Sequence, residues 1–579
     1  MNYQDERRSF MKKMALGSLG ISALAMQNKL KLIQSAFAAG TYSSLTDHKS
    51  LVCVFLYGGN DAFNMFVPYE TTAYDNYANI RKNLAIPRDS LVPVSGGENS
   101  FHPSMAQSAA LYDQGKLALV SNVGTLYEPV TRAQILDHTA VLPPDLYSHS
   151  HQQEIWQTGL SHAIGVDNSG WGGRMADLLM DANSNPVLPP TFTLHGNNFW
   201  QMGDLSEPLA VSPWYGVSKF DFYDETDSPA RHSTWQQMLA ISRNHILGSH
   251  FASTTTDAIT RLGALRDAYL NSPTLQTPYN PNSKLSRELH AVAKLIAIRQ
   301  TLGLKRQIFF VAIGGFDTHS EQLTIHSERL AELDSALQSF YQMTQELGVE
   351  DTVTTFTASE FGRSLTINGD GTDHAWGSHA LIMGGDVAGG RIIGELPAYE
   401  LGGPDDVKDD GRFIPKIATD QYGATLARWM DLDDSDLNAV FPHLANFSVR
   451  DLGFFNSAAD SDNDGVPDQL DNCPTTSNSS QANNDGDAQG DACDSDDDND
   501  GMNDEWETAH GFDPFDAADK NLDPDQDGFT NLQESRFGSD PHVFDTDNDN
   551  NGIPDSVDKR RRGALPAIID LVLNQKGPG

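Results

Sequence analysis

Positive charge is scarce in this chain: 39 Lys and Arg stand against 79 Asp and Glu in 579 residues, a formal net charge of −40. That shortage excludes nucleic acid as a partner, because displacing counterions from a phosphate backbone takes Lys and Arg. Cysteine is nearly absent, with three in the whole chain. Cys53 lies inside the apolar run LVCVFLY and reads as an inert buried thiol. Cys473 and Cys493 remain as a candidate bridge, which needs an oxidising compartment. Long apolar runs are missing as well. The stretch Met14–Met26 is too short and glycine-rich for a membrane span, and Ala564–Leu573 is shorter still. No transmembrane helix is expected in the mature chain.

What is abundant is acid, and it is concentrated. Residues 460–558 hold 29 Asp and Glu against two Lys and Arg, so most of the net charge sits in this window. The acids are spaced. The phrase reads DSDNDGVPDQLD at 460–471, DDDNDGMNDEWE at 496–507, DPDQDGFTNLQE at 523–534 and DTDNDNNGIPD at 545–555. Acids at positions 1, 3 and 5, Gly at 6 and further oxygens at 9 and 12 wrap a hard cation in oxygen ligands, the glycine making the sharp turn. The expected calcium ligands are Asp460, Asp462, Asp464, Asp468 and Asp471, then Asn483, Asp485, Asp487, Asp491 and Asp494. They continue with Asp496, Asp498, Asp500, Asp504 and Glu507, and with Asp523, Asp525, Asp527, Asn531 and Glu534. The last set is Asp545, Asp547, Asp549 and Asp555. Without calcium this region should repel itself and swell.

At the other end, Arg7-Arg8-Ser9-Phe10-Met11-Lys12 precedes the mildly apolar stretch, and Ala36-Phe37-Ala38 offers a cleavage site. This is the twin-arginine pattern of a bacterial export signal over 1–39. The expectation is a mature protein in the periplasm, at the cell surface or outside the cell. Residues 45–455 then form one large domain, 457–558 the calcium repeats and 559–579 a basic and apolar tail.

Within the large domain, Leu51–Tyr57, Ile308–Ile313, Thr352–Thr357 and Ala380–Met383 read as buried strands, and Gln322–Leu347 reads as a helix with one apolar stripe. Strand, helix, strand implies a parallel sheet and an α/β, doubly wound fold. The strand ends carry the chemistry. GGNDAFN brings Asp61, GGFDTHS brings Asp317 and His319, and ASEFGR brings Glu360. TDHAWGSH then brings Asp373, His374 and His379. In parallel sheets ligands bind beyond the carboxyl ends of the strands, so these groups are expected on one rim. Carboxylates mixed with imidazoles suit zinc, manganese or iron, in numbers enough for two divalent ions clamping a displacement at phosphorus or sulfur. Arg363 is a candidate fork for an oxyanion.

GGNDAFN, GWGGR at 170–174, FDTHSEQ, SEFGR and TDHAW together resemble the secreted bacterial family named domain of unknown function 1501, grouped with the alkaline phosphatase and sulfatase superfamily. The resemblance covers about 48–450. It implies an alkaline phosphatase-like, mostly parallel sheet with a bimetal site, and it places the seven strand-end residues where superfamily ligands are expected. Two departures stand out: Asp61 is followed by Ala62, and Glu360-Phe361 replaces the usual Asp-His. YSHSHQQEIWQTG at 147–159 echoes a sulfatase nucleophile segment, which would make Ser148 or Ser150 the attacking oxygen, with His149 and His151 close by. DNCP at 471–474 and GDACD at 490–494 resemble thrombospondin type 3 repeats, extended calcium-wrapped modules with little core. Two functions fit. One is a metal-dependent hydrolase of small or polymeric phosphate or sulfate esters, and the other is a calcium-dependent protein binding a cell-surface or matrix partner on a retired hydrolase fold.

Overall fold

The structure is a computed structural model describing residues 42–162, 169–185, 188–217, 228–241, 246–456, 462, 466, 471–487, 489–548 and 550–558. The chain divides into two compact units at the Ser457/Ala458 boundary. The export signal, the tail from 559, and Asp460, Asp464, Asp468 and Asp549 lie outside the described residues.

The large unit is built on a nine-stranded sheet. Its strands are β1 (Lys49–Tyr57), β2 (Leu117–Gly124), β3 (Thr191–Thr193), β4 (Leu209–Ala210), β5 (Arg306–Gly314), β6 (Val353–Ala358), β7 (Ser378–Met383), β8 (Ile392–Ile393) and β9 (Ile417–Ala418). They lie in the order β8-β2-β7-β6-β1-β5-β3-β4, with β9 also on β2. Every pairing is parallel except those of β7, which runs against both β6 and β2. The four expected strands are present, each shifted or extended by a residue or two. The fold is α/β with a mostly parallel sheet.

Alternation along β1 shows why the sheet is wound on both sides. Val52, Val54 and Leu56 enter one apolar cluster, and Leu51, Cys53 and Phe55 enter the other. α1 (His149–Thr158), α2 (Trp171–Leu178) and α5 (Thr419–Trp429) cover the second face, whereas α3 (Lys284–Ala297) and α4 (Gln322–Glu346) cover the first. A strand buried on both faces reads as a continuous apolar run, which is what LVCVFLY and IFFVAI are. β5, α4 and β6 form the expected crossover, and β1 lies between the two strands, paired to each. The loops that leave β1, β5 and β6 therefore emerge side by side. Because β7 is antiparallel, its beginning lies at the same rim, which delivers the segment before it, TDHAW, to the site.

Among the described residues no helix is long and apolar enough to cross a membrane.

Candidate metal centre

Three strand-end loops meet closely because the first is glycine. A Cβ on Gly58 (φ +120°) would lie 2.3 Å from the Asp317 backbone nitrogen, and one on Gly59 (φ +75°) would lie 2.4 Å from the Phe361 ring. Arg363 stitches the loops together from inside. Its guanidinium is buried and donates to the carbonyls of Gly58 (3.0 Å), Gly59 (2.9 Å), Phe316 (3.1 Å) and Thr372, and to the Asp317 carboxylate. A backbone bridge between Arg363 and His374 adds the fourth segment. Gly58→Ala should therefore lower stability by about 2–5 kcal/mol, from a strained φ plus overpacking against Asp317, read as a shift of the denaturant midpoint.

On this frame four side chains converge. His319 Nε2 and His374 Nε2 lie 2.9 Å apart and 3.0 and 3.2 Å from Asp317 Oδ1. His149 Nε2 approaches Asp317 Oδ2 at 3.6 Å. Two of the imidazoles have fixed tautomers. His374 Nδ1 donates to the Tyr147 carbonyl at 2.9 Å, and His149 Nδ1 donates to Glu360 Oε1 at 2.8 Å. Each therefore turns its Nε2 lone pair inward, in the manner of an imidazole oriented by a carbonyl or carboxylate behind it. His149 Nε2 is buried and has no hydrogen-bond partner. Atoms of His149, Asp317 and His374 lie within 4.8 Å of one another, close enough to share an ion. The bond to Glu360 raises the His149 pKa, whereas burial lowers that of His374. Burial opposes ionisation of Asp317, but the Arg363 charge, hydrogen bonds from His374 and Arg363, and the nearby His319 together outweigh it and hold that carboxyl below its ordinary value.

Other expected ligands do not join this set. The Asp61 carboxylate is fully buried in an ion pair with Arg81 at 2.5 Å and also takes a bond from Gln322. Glu360 stands behind His149, its Oε1 accepting from His149, Gln153 (3.0 Å) and the Gly58 N–H (3.0 Å). His379 lies within β7 with its ring edge-on to Phe63; its Nδ1 accepts the Asn122 N–H at 3.0 Å, and burial pushes its pKa down to about 3. Asp373 sits at the margin, 3.8 Å from His319 Nδ1 and bonded to Asn368 at 2.9 Å. Arg363 has no fork to offer an oxyanion, since its donors are taken by carbonyls and Asp317. Ser148 is the N-cap residue of α1 without a side-chain capping bond, and its hydroxyl meets only Ser150 Oγ at 3.3 Å. His151 Nδ1 is bonded to Asp145 at 2.8 Å, and neither flanking imidazole is hydrogen-bonded to the Ser148 hydroxyl. Sequence reasoning missed His149 as an inward-facing donor; its only signal was the His-Ser-His at the start of α1.

The second unit repeats one bonding pattern. In three loops the first aspartate accepts two backbone N–H groups: Asp496 from Asp500 and Gly501 (3.0 Å each), Asp523 from Asp527 (3.2 Å) and Gly528 (3.0 Å), and Asp547 from Asn551 (3.1 Å) and Gly552 (2.8 Å). The last of these moves the frame. The fourth loop starts at Asp547 and ends at Asp558, so Asp545 lies outside it: its N–H binds Asp527 Oδ2 at 2.8 Å, and its Oδ2 accepts from Ser556. The ninth residue closes each loop backward, Asp491 to Ala482 (3.0 Å), Asp504 to Ser495 (3.1 Å), Asn531 to Leu522 (2.9 Å) and Asp555 to Thr546 (2.7 Å). Asp485, Asp487 and Asp494 gather carboxylate oxygens within 4.8 Å of one another, as do Asp496, Asp498 and Asp500, and Asp523, Asp525 and Asp527. Asp471 Oδ1 accepts from Gln481 and the Cys473 N–H, and the Cys473–Cys493 disulfide is formed. Short helices α6 (Asp504–His510) and α7 (Asn531–Phe537) begin at the ninth residue of two of the loops.

The large unit is thus an α/β protein whose strand-end loops gather a His-Asp cluster. It belongs to the family described as protein of unknown function DUF1501, whose model matches residues 48–409. The thrombospondin type 3 repeat matches 458–481 and 482–507, which suggests calcium binding there. No curated protein matches the chain. Among solved structures it is similar to Ps i-CgsB in complex with k-i-k-neocarrahexaose, at 11% identity over 68% of this chain and 74% of that one, with a TM-score of 0.28. It is also similar to the soluble domain of lipooligosaccharide phosphoethanolamine transferase A from Neisseria meningitidis, at 9% identity over 69% of this chain and 94% of that one, with a TM-score of 0.29.

Proposed function

We propose that the large unit is a metal-dependent hydrolase of phosphate or sulfate esters, carried on a chain exported by the twin-arginine route whose acidic unit binds calcium. The observation that carries the reading is the buried, unpartnered Nε2 of His149 turned toward Asp317 beside the Nε2 atoms of His319 and His374. His149, His374 and Asp317 fit a single divalent transition ion, with His319 beside Asp317 and His374, and two or more imidazoles suit zinc or manganese in preference to calcium. An ion bound there supplies Lewis-acid stabilisation of charge on an ester oxygen. The chain's own part is to hold the donors ready. Glu360 fixes the His149 tautomer, the Tyr147 carbonyl fixes that of His374, and Arg363 keeps Asp317 ionised. The side chains of Asp317 and His319 are each 46% exposed, so an ester group can reach the donors from solvent.

A second reading is favoured by one observation: among the described residues around the cluster, no imidazole is hydrogen-bonded to the Ser148 hydroxyl, and every Arg363 nitrogen already donates within the protein. On that reading the fold is a calcium-dependent binding scaffold for a cell-surface or matrix partner. Metal analysis and turnover separate the two. Zinc- or manganese-loaded protein should hydrolyse an aryl phosphate or aryl sulfate. Glu360→Gln should weaken ion retention by about 10–100-fold and lower turnover with it, because the carboxylate behind His149 is lost while the donors remain. Loaded protein inert on every ester class removes the hydrolase and leaves the scaffold.

A further inference from the structure

The connector between the two helical loops of the acidic unit carries an aspartate that neither the acid spacing nor the repeat match includes, since the match ends at residue 507. Asp519 opens a short turn, Asp519–Asn521, with its side chain 6% exposed residue-wise and turned toward the preceding loop. Its carboxylate lies with those of Asp500 and Glu507, one oxygen of each within 4.8 Å of the others. All three residues are buried, Glu507 completely. Both Glu507 oxygens, Asp500 Oδ2 and Asp519 Oδ1 lack any hydrogen-bond partner. Three ionised carboxylates do not share a dry space unless a cation offsets their repulsion and desolvation or protons neutralise them. The unpartnered Glu507 points into that space from α6.

We propose that Asp519 completes, with Asp500 and Glu507, a calcium site that spans two segments of the acidic unit. The site rests on the reading of this unit as calcium-binding and adds a ligand to it. Asp519 is held in place from both sides: its Oδ2 accepts the Asp513 N–H at 3.1 Å, and its carbonyl accepts Asn531 Nδ2 at 2.8 Å. Asn531 is the ninth residue of the following loop. An ion on Asp519 therefore orders the connector that also anchors loop 523–534, and the two loops are coupled through one residue.

The test uses the full chain, with terbium as the calcium probe and Trp506, beside Glu507, as its sensitiser. Asp519→Asn and Glu507→Gln should each retain one calcium fewer than the parent by native mass spectrometry, counted on compact charge states. Each should also weaken tryptophan-sensitised terbium binding about tenfold, because a charged ligand is lost. Asp516→Asn, on the exposed part of the same connector, should match the parent. Retention of the parent's calcium count by compact Asp519→Asn overturns the site while leaving the calcium reading intact. A parent chain that retains no calcium overturns both.

Discussion

Asp61→Ala should destabilise the large unit by about 3–5 kcal/mol and leave its transition-metal content unchanged. Asp61 and Arg81 are fully buried and paired, and the Nε and Nη1 of Arg81 already lack partners. Removing the carboxylate strands a guanidinium in the interior, which costs far more than the pair itself contributes. Gln322, which donates to Asp61 and accepts from Thr372 at 2.6 Å, loses one end of its bridge at the same time. Asp317→Ala should differ in its main effect. Its side chain is 46% exposed and lies among the imidazoles, so ion retention should collapse, while the denaturant midpoint falls less than in Asp61→Ala because the buried Arg363, though it loses its carboxylate partner, keeps four carbonyl acceptors. The pair of variants separates two aspartates that look alike in sequence, each the second residue after Gly-Gly. Loss of metal with unchanged stability in Asp61→Ala would put Asp61 at the ion and reverse the assignment.

The contrast between those aspartates shows where sequence reasoning ran out. Doubly buried strands announce themselves as apolar runs, and a helix as long as α4 shows its stripe, so the sheet centre and its crossover were legible. Strand direction is not encoded in periodicity. The antiparallel course of β7 went unseen, and with it the reason His379 enters the core while His374, before the strand, reaches the rim. β2 was missed because LALVSNVG breaks its apolar run with Ser121 and Asn122. An acid at a strand end signals a ligand only if no cation is folded against it, and Arg81 comes from a helix, Thr71–Arg81, with no such mark. His149 was overlooked for the converse reason. It stands in a loop-to-helix junction far from the other donors in sequence, and its role depends on Glu360 lying behind it. In the acidic unit the spacing of acids was readable, but in the last copy two overlapping frames fit, and only the backbone bonds onto Asp547 choose between them.

Removing calcium should expand the acidic unit at neutral pH, and acid should reverse that expansion. Burial first, and neighbouring carboxylates second, push Asp497 and Asp498 up to about 6, Glu534 to about 7 and Glu507 to about 8. Their ordinary values are 3.8 for Asp and 4.5 for Glu. The compact form thus binds more protons than the expanded one between about pH 4 and 8, and without an ion its stability falls as pH rises through that window. Below it the acids are neutral in both forms and the penalty vanishes. With calcium the sign inverts, since protons compete with the ion for the same oxygens and acid releases it. Small-angle scattering of the full chain should show a chelated form that is larger at about pH 8 than at about pH 5, and a calcium form that is compact at about pH 8. The Cys473–Cys493 bridge limits the expansion on its own side, so proteolytic cuts in the chelated form should fall beyond Asp494 and disappear when calcium is restored. A chelated chain with the same dimensions at both pH values would mean that the crowded carboxylates are offset by something other than an ion, and the calcium assignment would fall with it.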